Sequence, residues 1–200
     1  MDDIVKQAMA KWPNVPHCYG WLRLDARGVF RMCDEVAQKN AAAGDPIRHA
    51  SLLAFIYRNY ASDEHGAWFF QNGPQRVYVD LETTPFIART NTQEKQENFV
   101  TQDGLALKDI HTVWLSDQGN LLLQNAMQIA MLDDRDIAAC LSQFRLEGAV
   151  CSDAELLNWM HQPTEDCGFI LGDDLLPVKF IQSNDIAEQF AFQPRPRTLI

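Results

Sequence analysis

The chain has 200 residues, of which 46% are hydrophobic, so it can bury a core in one large or two small domains. Its net charge of −10 disfavours a nucleic acid or an anionic membrane as partner, because both present negative phosphates. Five cysteines without a C-x-x-C spacing argue against a zinc ribbon and a disulfide framework, and without a long apolar run or a leader-like start we expect a cytoplasmic bacterial protein.

The first part of the chain predicts a helix followed by a hairpin. Apolar residues at helical spacing run from Asp2 to Trp12, and Pro13 ends the pattern. In the following "WLRLDARGVFRM", apolar and polar residues alternate around the turn-forming Asp25–Gly28. We therefore expect two antiparallel strands after the first helix.

A second helix is predicted from Asp45 and Pro46 to about Tyr60. Asp can cap the free amides of a helix start, and Pro suits the first helical position. The apolar stripe of this segment is wide. A stripe of that width implies that the helix packs against a sheet.

The segment "AWFFQNGPQRVYVDLE" predicts a second hairpin. Its strands are Trp68 to Gln71 and Arg76 to Glu82, joined by a turn at Asn72-Gly73-Pro74. An extended "TTPFIART" follows, and then the polar "NTQEKQEN". This polar segment is the candidate boundary between two domains, residues 1–92 and 93–200.

The second half predicts further strands and helices. Short apolar runs separated by Asp103-Gly104 and by Asp117–Gly119 indicate antiparallel strands. A helix is predicted from Asp133 to Arg145, and a capping box opens another at Asp153 to His161. The remaining predictions, in chain order, are a hairpin turning at Gly172–Asp174, a terminal helix in "NDIAEQFAF" and an extended or mobile tail, "QPRPRTLI".

The two halves contain a weak internal repeat. The pair Gln71-Asn72 recurs 53 residues later as Gln124-Asn125, each at the end of an apolar run. Chance similarity between two hairpins explains this as well as a duplication does. Repeated or not, each half combines antiparallel strands with helices, which predicts an α+β fold of two similar sheet-plus-helix units.

The stretch from Gly20 to Arg89 resembles a proteobacterial family, domain of unknown function 1285. The matching residues, in chain order, are Pro46-Ile47-Arg48, Phe55, Gly66, Arg76-Val77, Val79, Leu81, Glu82 and Pro85-Phe86. The resemblance implies a duplicated α+β unit with a second half similar to pleckstrin-homology-like folds. It further implies a site for a nucleotide-like ligand between the halves and a signalling role. No catalytic residue and no cofactor comes with it.

Signatures of catalysis or metal binding are weak in this sequence. There is no phosphate-binding loop and no G-x-S-x-G motif. His17, Cys18 and Cys33 lack a fourth ligand at motif spacing, so we expect no zinc site. Cys151, beside a helix start, is a candidate for a lowered pKa.

A set of polar residues is the candidate ligand site. Its members are Arg48, His49, Gln71, Asn72, Arg76 and Glu82. The first two lie in the first turn of the predicted helix, whose free amides favour anions, and Arg76 joins them if the hairpin packs over that helix. The other interpretation is that Arg48 pairs with a surface acid and that the Gln-Asn pair completes turn hydrogen bonds.

The sequence therefore predicts a non-enzymatic module that binds a small anionic ligand or a protein partner and needs no cofactor. The oligomeric state is left open. The alternative is a hydrolase with a His-Cys or carboxylate site.

Overall fold

A computed structural model describes residues 1–91, 98–164 and 166–197 of the chain. These residues fall into two units. Unit 1 contains Met1–Pro85 and the segment that begins at Ala191, and unit 2 contains Phe86–Phe190. The predicted boundary between residues 92 and 93 lies outside the described residues and stays a prediction.

Unit 1 is a six-stranded sheet with three helices among its described residues. In chain order its elements are α1 (Asp3–Lys11), β1 (Cys18–Leu24), β2 (Phe30–Met32), α2 (Glu35–Lys39), β3 (Asp45–Pro46), α3 (Ala50–Arg58), β4 (Tyr60–Ser62), β5 (Trp68–Asn72) and β6 (Gln75–Leu81). The first helix and both hairpins are confirmed, and Gly73, with φ 57°, lies in the turn of the second hairpin.

The strand order in unit 1 is β3-β2-β1-β6-β5-β4. The central pair, β1 and β6, is parallel, with Leu22 opposite Val79 and Leu24 opposite Leu81. A parallel pair needs a long crossover connection, and the chain between these two strands supplies one that includes α3. The hairpin signals in the sequence did not reveal this parallel pairing.

The predicted helix start at Asp45-Pro46 is wrong. These two residues form β3 and pair with Arg31 and Met32 of β2. Pro46 is tolerated there because β3 is an edge strand, where a missing amide donor costs little. The helix begins at Ala50 instead, after His49, whose ring nitrogen accepts a hydrogen bond from the Leu52 amide at 3.3 Å.

Within the described residues, unit 2 is a nine-stranded sheet with short helices. Its strands and α-helices are β7 (Phe86–Asn91), β8 (Asn98–Thr101), β9 (Thr112–Ser116), β10 (Leu121–Gln124), β11 (Ile129–Leu132), α4 (Ile137–Cys140), β12 (Phe144–Leu146), β13 (Ala149–Val150), α5 (Asp153–His161), β14 (Cys167–Leu171), β15 (Asp174–Ile181) and α6 (Ile186–Gln189). The strand order is β13-β12-β14-β15-β9-β10-β11-β7-β8. Leu156 and Trp159 of α5 belong to the core of this unit.

The long helix predicted from Asp133 to Arg145 is wrong. Only α4 is α-helical there, between two short 3₁₀ turns, and the chain is extended again from Phe144. Phe144 pairs with Phe169 of β14 and their rings are in edge-to-face contact, so sheet pairing ends the helical segment. The capping box at Ser152 and Glu155 and the helix Asp153–His161 are confirmed.

Five strands of each sheet share one arrangement. In unit 1 the order β2-β1-β6-β5-β4 has one antiparallel, one parallel and two antiparallel pairs. In unit 2 the order β8-β7-β11-β10-β9 has the same sequence of directions. β5 and β10, which carry the repeated Gln-Asn pattern, hold equivalent places. The predicted α+β class with two similar units is confirmed.

No helix among the described residues is long and apolar enough to cross a membrane.

Candidate functional site

The two faces of the unit 1 sheet differ in chemistry. Along β6, Val77, Val79 and Leu81 alternate with Arg76, Tyr78 and Asp80, so the two sets point to opposite faces. α3 covers the face of the valines, because its Phe55 ring contacts Phe70, which is opposite Val77. The other face therefore carries Arg76, Tyr78 and Asp80.

Residues 191–197, which we call the strap, are attached to the sheet of unit 1. The amide of Gln193 donates to the Gly66 carbonyl at 2.9 Å, and the Leu81 amide donates to the Pro194 carbonyl at 2.8 Å. At its other end, Arg197 binds both carboxylate oxygens of Asp80, at 2.6 and 2.9 Å. The strap thus holds Pro194 and Arg197 against β6.

Two cavities lie beside the strap, and both are lined by Tyr19 and Arg197. The first, about 530 Å³, is the aromatic cavity; its other lining residues are Asp63, His65, Ala67, Tyr78, Gln193 and Pro196. The Tyr19 and Tyr78 rings stack, with centroids 4.6 Å apart and planes inclined by 3°. Both cavities fall in the size range of small-molecule sites.

Asp63 is the acidic group of the aromatic cavity. It accepts hydrogen bonds from the amides of His65 and Ala67, at 3.0 and 2.9 Å, and from the Tyr78 hydroxyl at 3.0 Å. Burial alone would raise the pKa of Asp63, but these hydrogen bonds lower it below its ordinary value. Burial, together with Asp63, raises the pKa of Tyr78. The cavity therefore contains a carboxylate and a neutral phenol.

The second cavity, about 590 Å³, is the basic cavity. Besides the two shared residues, its lining contains Gly20, Arg23, Cys33, Gln38, Ala41, Asp80, Leu81, Glu82 and Arg195. Three arginines thus face two carboxylates. Arg197 and Asp80 form an ion pair, so the lining contains two further arginines, Arg23 and Arg195, and one further carboxylate, Glu82.

The two remaining arginines of the basic cavity have no carboxylate partner among the described residues. Arg23 donates one hydrogen bond, to the Ala42 carbonyl at 3.3 Å, and Arg195 is exposed. The Asp80 carboxylate raises the pKa of Arg197, so this guanidinium is charged at any physiological pH. Uncommitted guanidinium groups at a concave surface can bind a phosphate or a carboxylate.

The residues predicted from the sequence do not come together in one place. His49 caps α3, and Arg48 precedes this helix as an exposed residue, not within its first turn as predicted. Gln71 and Arg76 face each other across β5 and β6 on the opposite side of the sheet. α3 therefore lies on one face and this pair on the other.

Each of the other predicted side chains has a local environment of its own. The Arg76 guanidinium lies over the Phe69 ring, 4.5 Å from its centroid. The buried Gln71 donates to the Gly73 carbonyl at 2.9 Å, and its side-chain oxygen has no hydrogen-bond partner among the described residues. Asn72 is exposed at the end of β5. Glu82 lines the basic cavity and accepts from the Ala26 amide at 3.3 Å.

The candidate residues chosen from the sequence did not include Arg23, Arg195 and Arg197, which line the basic cavity. Arg23 looks like the polar member of an alternating strand, and the tail "QPRPRTLI" looks like an extended or mobile end. The sequence did contain one signal for these residues. The two arginines of the tail alternate with prolines, which stiffen the backbone.

Signs of nucleophile or metal chemistry are weak. No group of three or more metal-ligating side chains is found in residues 1–91, 98–164 and 166–197. The prediction of a lowered pKa for Cys151 is wrong, because burial raises it. Burial also raises the pKa of Cys18 and Cys33 above the ordinary thiol value, and that of Cys167 to about 12.

Comparisons with known proteins find families without an assigned activity. The family model DUF2944, described as "Protein of unknown function (DUF2946)", matches residues 1–197. A crystal structure of a DUF1285 family protein from Silicibacter pomeroyi DSS-3 is 12% identical, covers 82% of each chain and has a TM-score of 0.48. One from Shewanella baltica OS155 is 13% identical, covers 60% of this chain and 88% of that chain, and has a TM-score of 0.42.

A search of curated proteins finds no match. Both solved structures belong to the family that the stretch from Gly20 to Arg89 resembles.

Proposed function

We propose a function from the cavities of unit 1, because the chain belongs to the DUF2944 family, a family of unknown function. The proposed function is the non-enzymatic binding of a small anionic, nucleotide-like ligand. The anion binds in the basic cavity and the ring of the ligand lies beside Tyr19. A signalling role and a cytoplasmic location remain part of this proposal.

The observation that carries the proposal is the pair of uncommitted arginines in the basic cavity. The chain has a net charge of −10, so its surface as a whole repels anions. Arg23 and Arg195 nevertheless face one cavity without a carboxylate partner among the residues that the structure describes. Two guanidinium groups that converge on one concave site are suited to a phosphate group.

The aromatic cavity supports a ligand that also carries a planar ring. Tyr19 and Arg197 line both cavities, so a single molecule can have its anionic group in one and its ring in the other. A ring that stacks on a tyrosine gains about 0.5–1.5 kcal/mol beyond the area it buries. Asp63 can accept a hydrogen bond from an N–H group at the ring edge.

The hydrolase alternative has less support. A cysteine nucleophile reacts as its thiolate, and burial raises the pKa of Cys18, Cys33, Cys151 and Cys167. If no small ligand binds, the remaining proposal is that the chain binds a protein partner.

The test is isothermal titration of the whole chain with adenosine monophosphate, inorganic phosphate and adenosine. We expect adenosine monophosphate to bind more tightly than either fragment. Arg23→Gln and Arg195→Gln should each weaken its binding about tenfold, the value of one charge-assisted hydrogen bond. Arg48→Gln removes the same charge outside the cavities and should leave the affinity unchanged.

Each other outcome has a defined meaning. If Arg48→Gln weakens binding and Arg23→Gln does not, the site lies at the residues predicted from the sequence. If a folded wild-type chain binds none of the three compounds, the small-ligand proposal is wrong.

A further inference from the structure

Asp80 is a carboxylate in the wall of a cavity that we assign to an anion. We propose that Asp80 is a positioning residue, which binds no ligand but holds the strap and its arginines in the basic cavity. This inference rests on the proposed function of that cavity. It explains why a negative group is present where it would otherwise oppose binding.

The geometry shows that the Asp80–Arg197 ion pair attaches the strap to the sheet. Asp80 lies in β6, between β1 and β5, and is 9% exposed. The side chain of Arg197 is 53% exposed and binds Asp80 through two nitrogen–oxygen contacts. A carboxylate fixed on a central strand therefore holds the end of a segment that arrives from 117 residues away.

The strap also determines where Arg195 lies. This residue is between Pro194, whose carbonyl accepts from the Leu81 amide, and Arg197, which binds Asp80. Both flanking attachments are to β6, and Pro196 beside it is buried. If the Asp80 attachment is lost, Arg195 and Arg197 are no longer held on the cavity, although neither has been mutated.

Simple electrostatics predicts the opposite effect, which makes the inference testable. Removing a carboxylate from an anion site should strengthen anion binding, since a repulsive charge is lost. Glu82 is the second carboxylate of the same cavity, and among the described residues it forms no hydrogen bond or ion pair with the strap. Glu82→Gln is therefore the matched control for Asp80→Asn, because both remove one negative charge from one cavity.

The experiment is titration of wild type, Asp80→Asn, Asp80→Glu and Glu82→Gln with adenosine monophosphate and with inorganic phosphate. Asp80→Asn should bind at least about tenfold more weakly than wild type, because contacts from strap arginines are lost. Asp80→Glu keeps the ion pair and should recover most of the affinity. Glu82→Gln should bind more tightly than wild type. Binding by Asp80→Asn that equals or exceeds that of wild type overturns the inference and leaves the proposed function intact.

Hydrogen–deuterium exchange separates positioning from general stability and needs no ligand. In Asp80→Asn the amides of Gln193 and Leu81, which form the strap hydrogen bonds, should exchange faster than in wild type. The amides of α3, on the other face of the sheet, should be unchanged. Equal acceleration in α3 would show a global loss of stability and contradict the inference. Wild type can also bind neither compound while the strap amides of Asp80→Asn exchange faster than those of wild type. In that case the proposed function is wrong, and the role of Asp80 in holding the strap is supported.

Discussion

Individual residues in both units have roles that follow from their contacts. Asp133 in unit 2 is fully buried and accepts from the Arg135 amide at 3.0 Å and from its guanidinium at 2.8 Å. The bond from the Arg135 guanidinium is the largest cause that lowers the pKa of Asp133, to about 2. Gly66 in unit 1 has φ +76° and lies against the strap. Each residue gives a prediction about stability.

We predict that Asp133→Asn lowers the free energy of unfolding by about 2 kcal/mol at neutral pH. Because the folded-state pKa lies below the ordinary value of 3.8, the stabilisation is fully present above about pH 4 and is lost as the pH falls through 2. Urea denaturation between pH 7 and pH 2.5 should show a gap between variant and wild type that narrows with acid. Asp173→Asn, in an exposed turn, is the control and should change stability little. If the difference in the free energy of unfolding between Asp133→Asn and wild type does not change with pH, the stabilisation does not come from the ionised Asp133 carboxylate.

We predict that Gly66→Ala destabilises unit 1 by more than about 2 kcal/mol. A Cβ at this position would overlap the carbonyl oxygen of Ala191, and the backbone conformation is one that side chains disfavour. Gly73→Ala is the matched control, since Gly73 also has a positive φ but no atom within 4 Å of the added Cβ. It should cost only about 1 kcal/mol. If chemical denaturation shows the same loss of stability in Gly66→Ala and Gly73→Ala, the close contact between Gly66 and the strap does not contribute to stability.

At the level of elements, local signals identify caps and tight turns well. The capping box places Ser152 and Glu155 in reciprocal hydrogen bonds, and the helix that it opens was predicted at its observed ends. Asp45-Pro46 carries an equally familiar helix-start signal, yet it pairs as an edge strand with β2. The segment after Asp133 is interrupted because Phe144 pairs with Phe169. Sheet pairing with distant residues overrode local propensity in both cases, and a local pattern cannot report it.

We predict that Ser152→Ala destabilises unit 2 by about 1 kcal/mol, because the cap of α5 loses the hydrogen bond that its hydroxyl accepts. Ser51→Ala is the control, since Ser51 is exposed within α3, where alanine is favourable. Guanidinium denaturation should show a loss for the first variant and none for the second. A loss of the same size in both would mean that the capping box has no special role.

For the whole molecule, the sequence predicted the α+β class and two similar units, but of the residues that line the basic cavity it singled out only Glu82 as a candidate. The hairpin signals at Asn72-Gly73 and at Gly172–Asp174 were sufficient for the local elements. The basic cavity is lined by Arg23 from β1 and Arg195 from the strap. These residues are far apart in the sequence, and no local sequence pattern predicts that they lie at the same cavity. The parallel pairing of β1 with β6 was missed for the same reason.

The central claim is that a small anion binds at Arg23 and Arg195. The most direct measurement is a nuclear magnetic resonance titration of the arginine side-chain N–H signals of the whole chain with adenosine monophosphate. We predict saturable shifts for Arg23, Arg195 and Arg197, with a shift of the Tyr19 ring signals, and no shift for Arg48 or Arg76. Shifts at Arg48 and Arg76 alone, or no saturable shift at any arginine, would contradict the account.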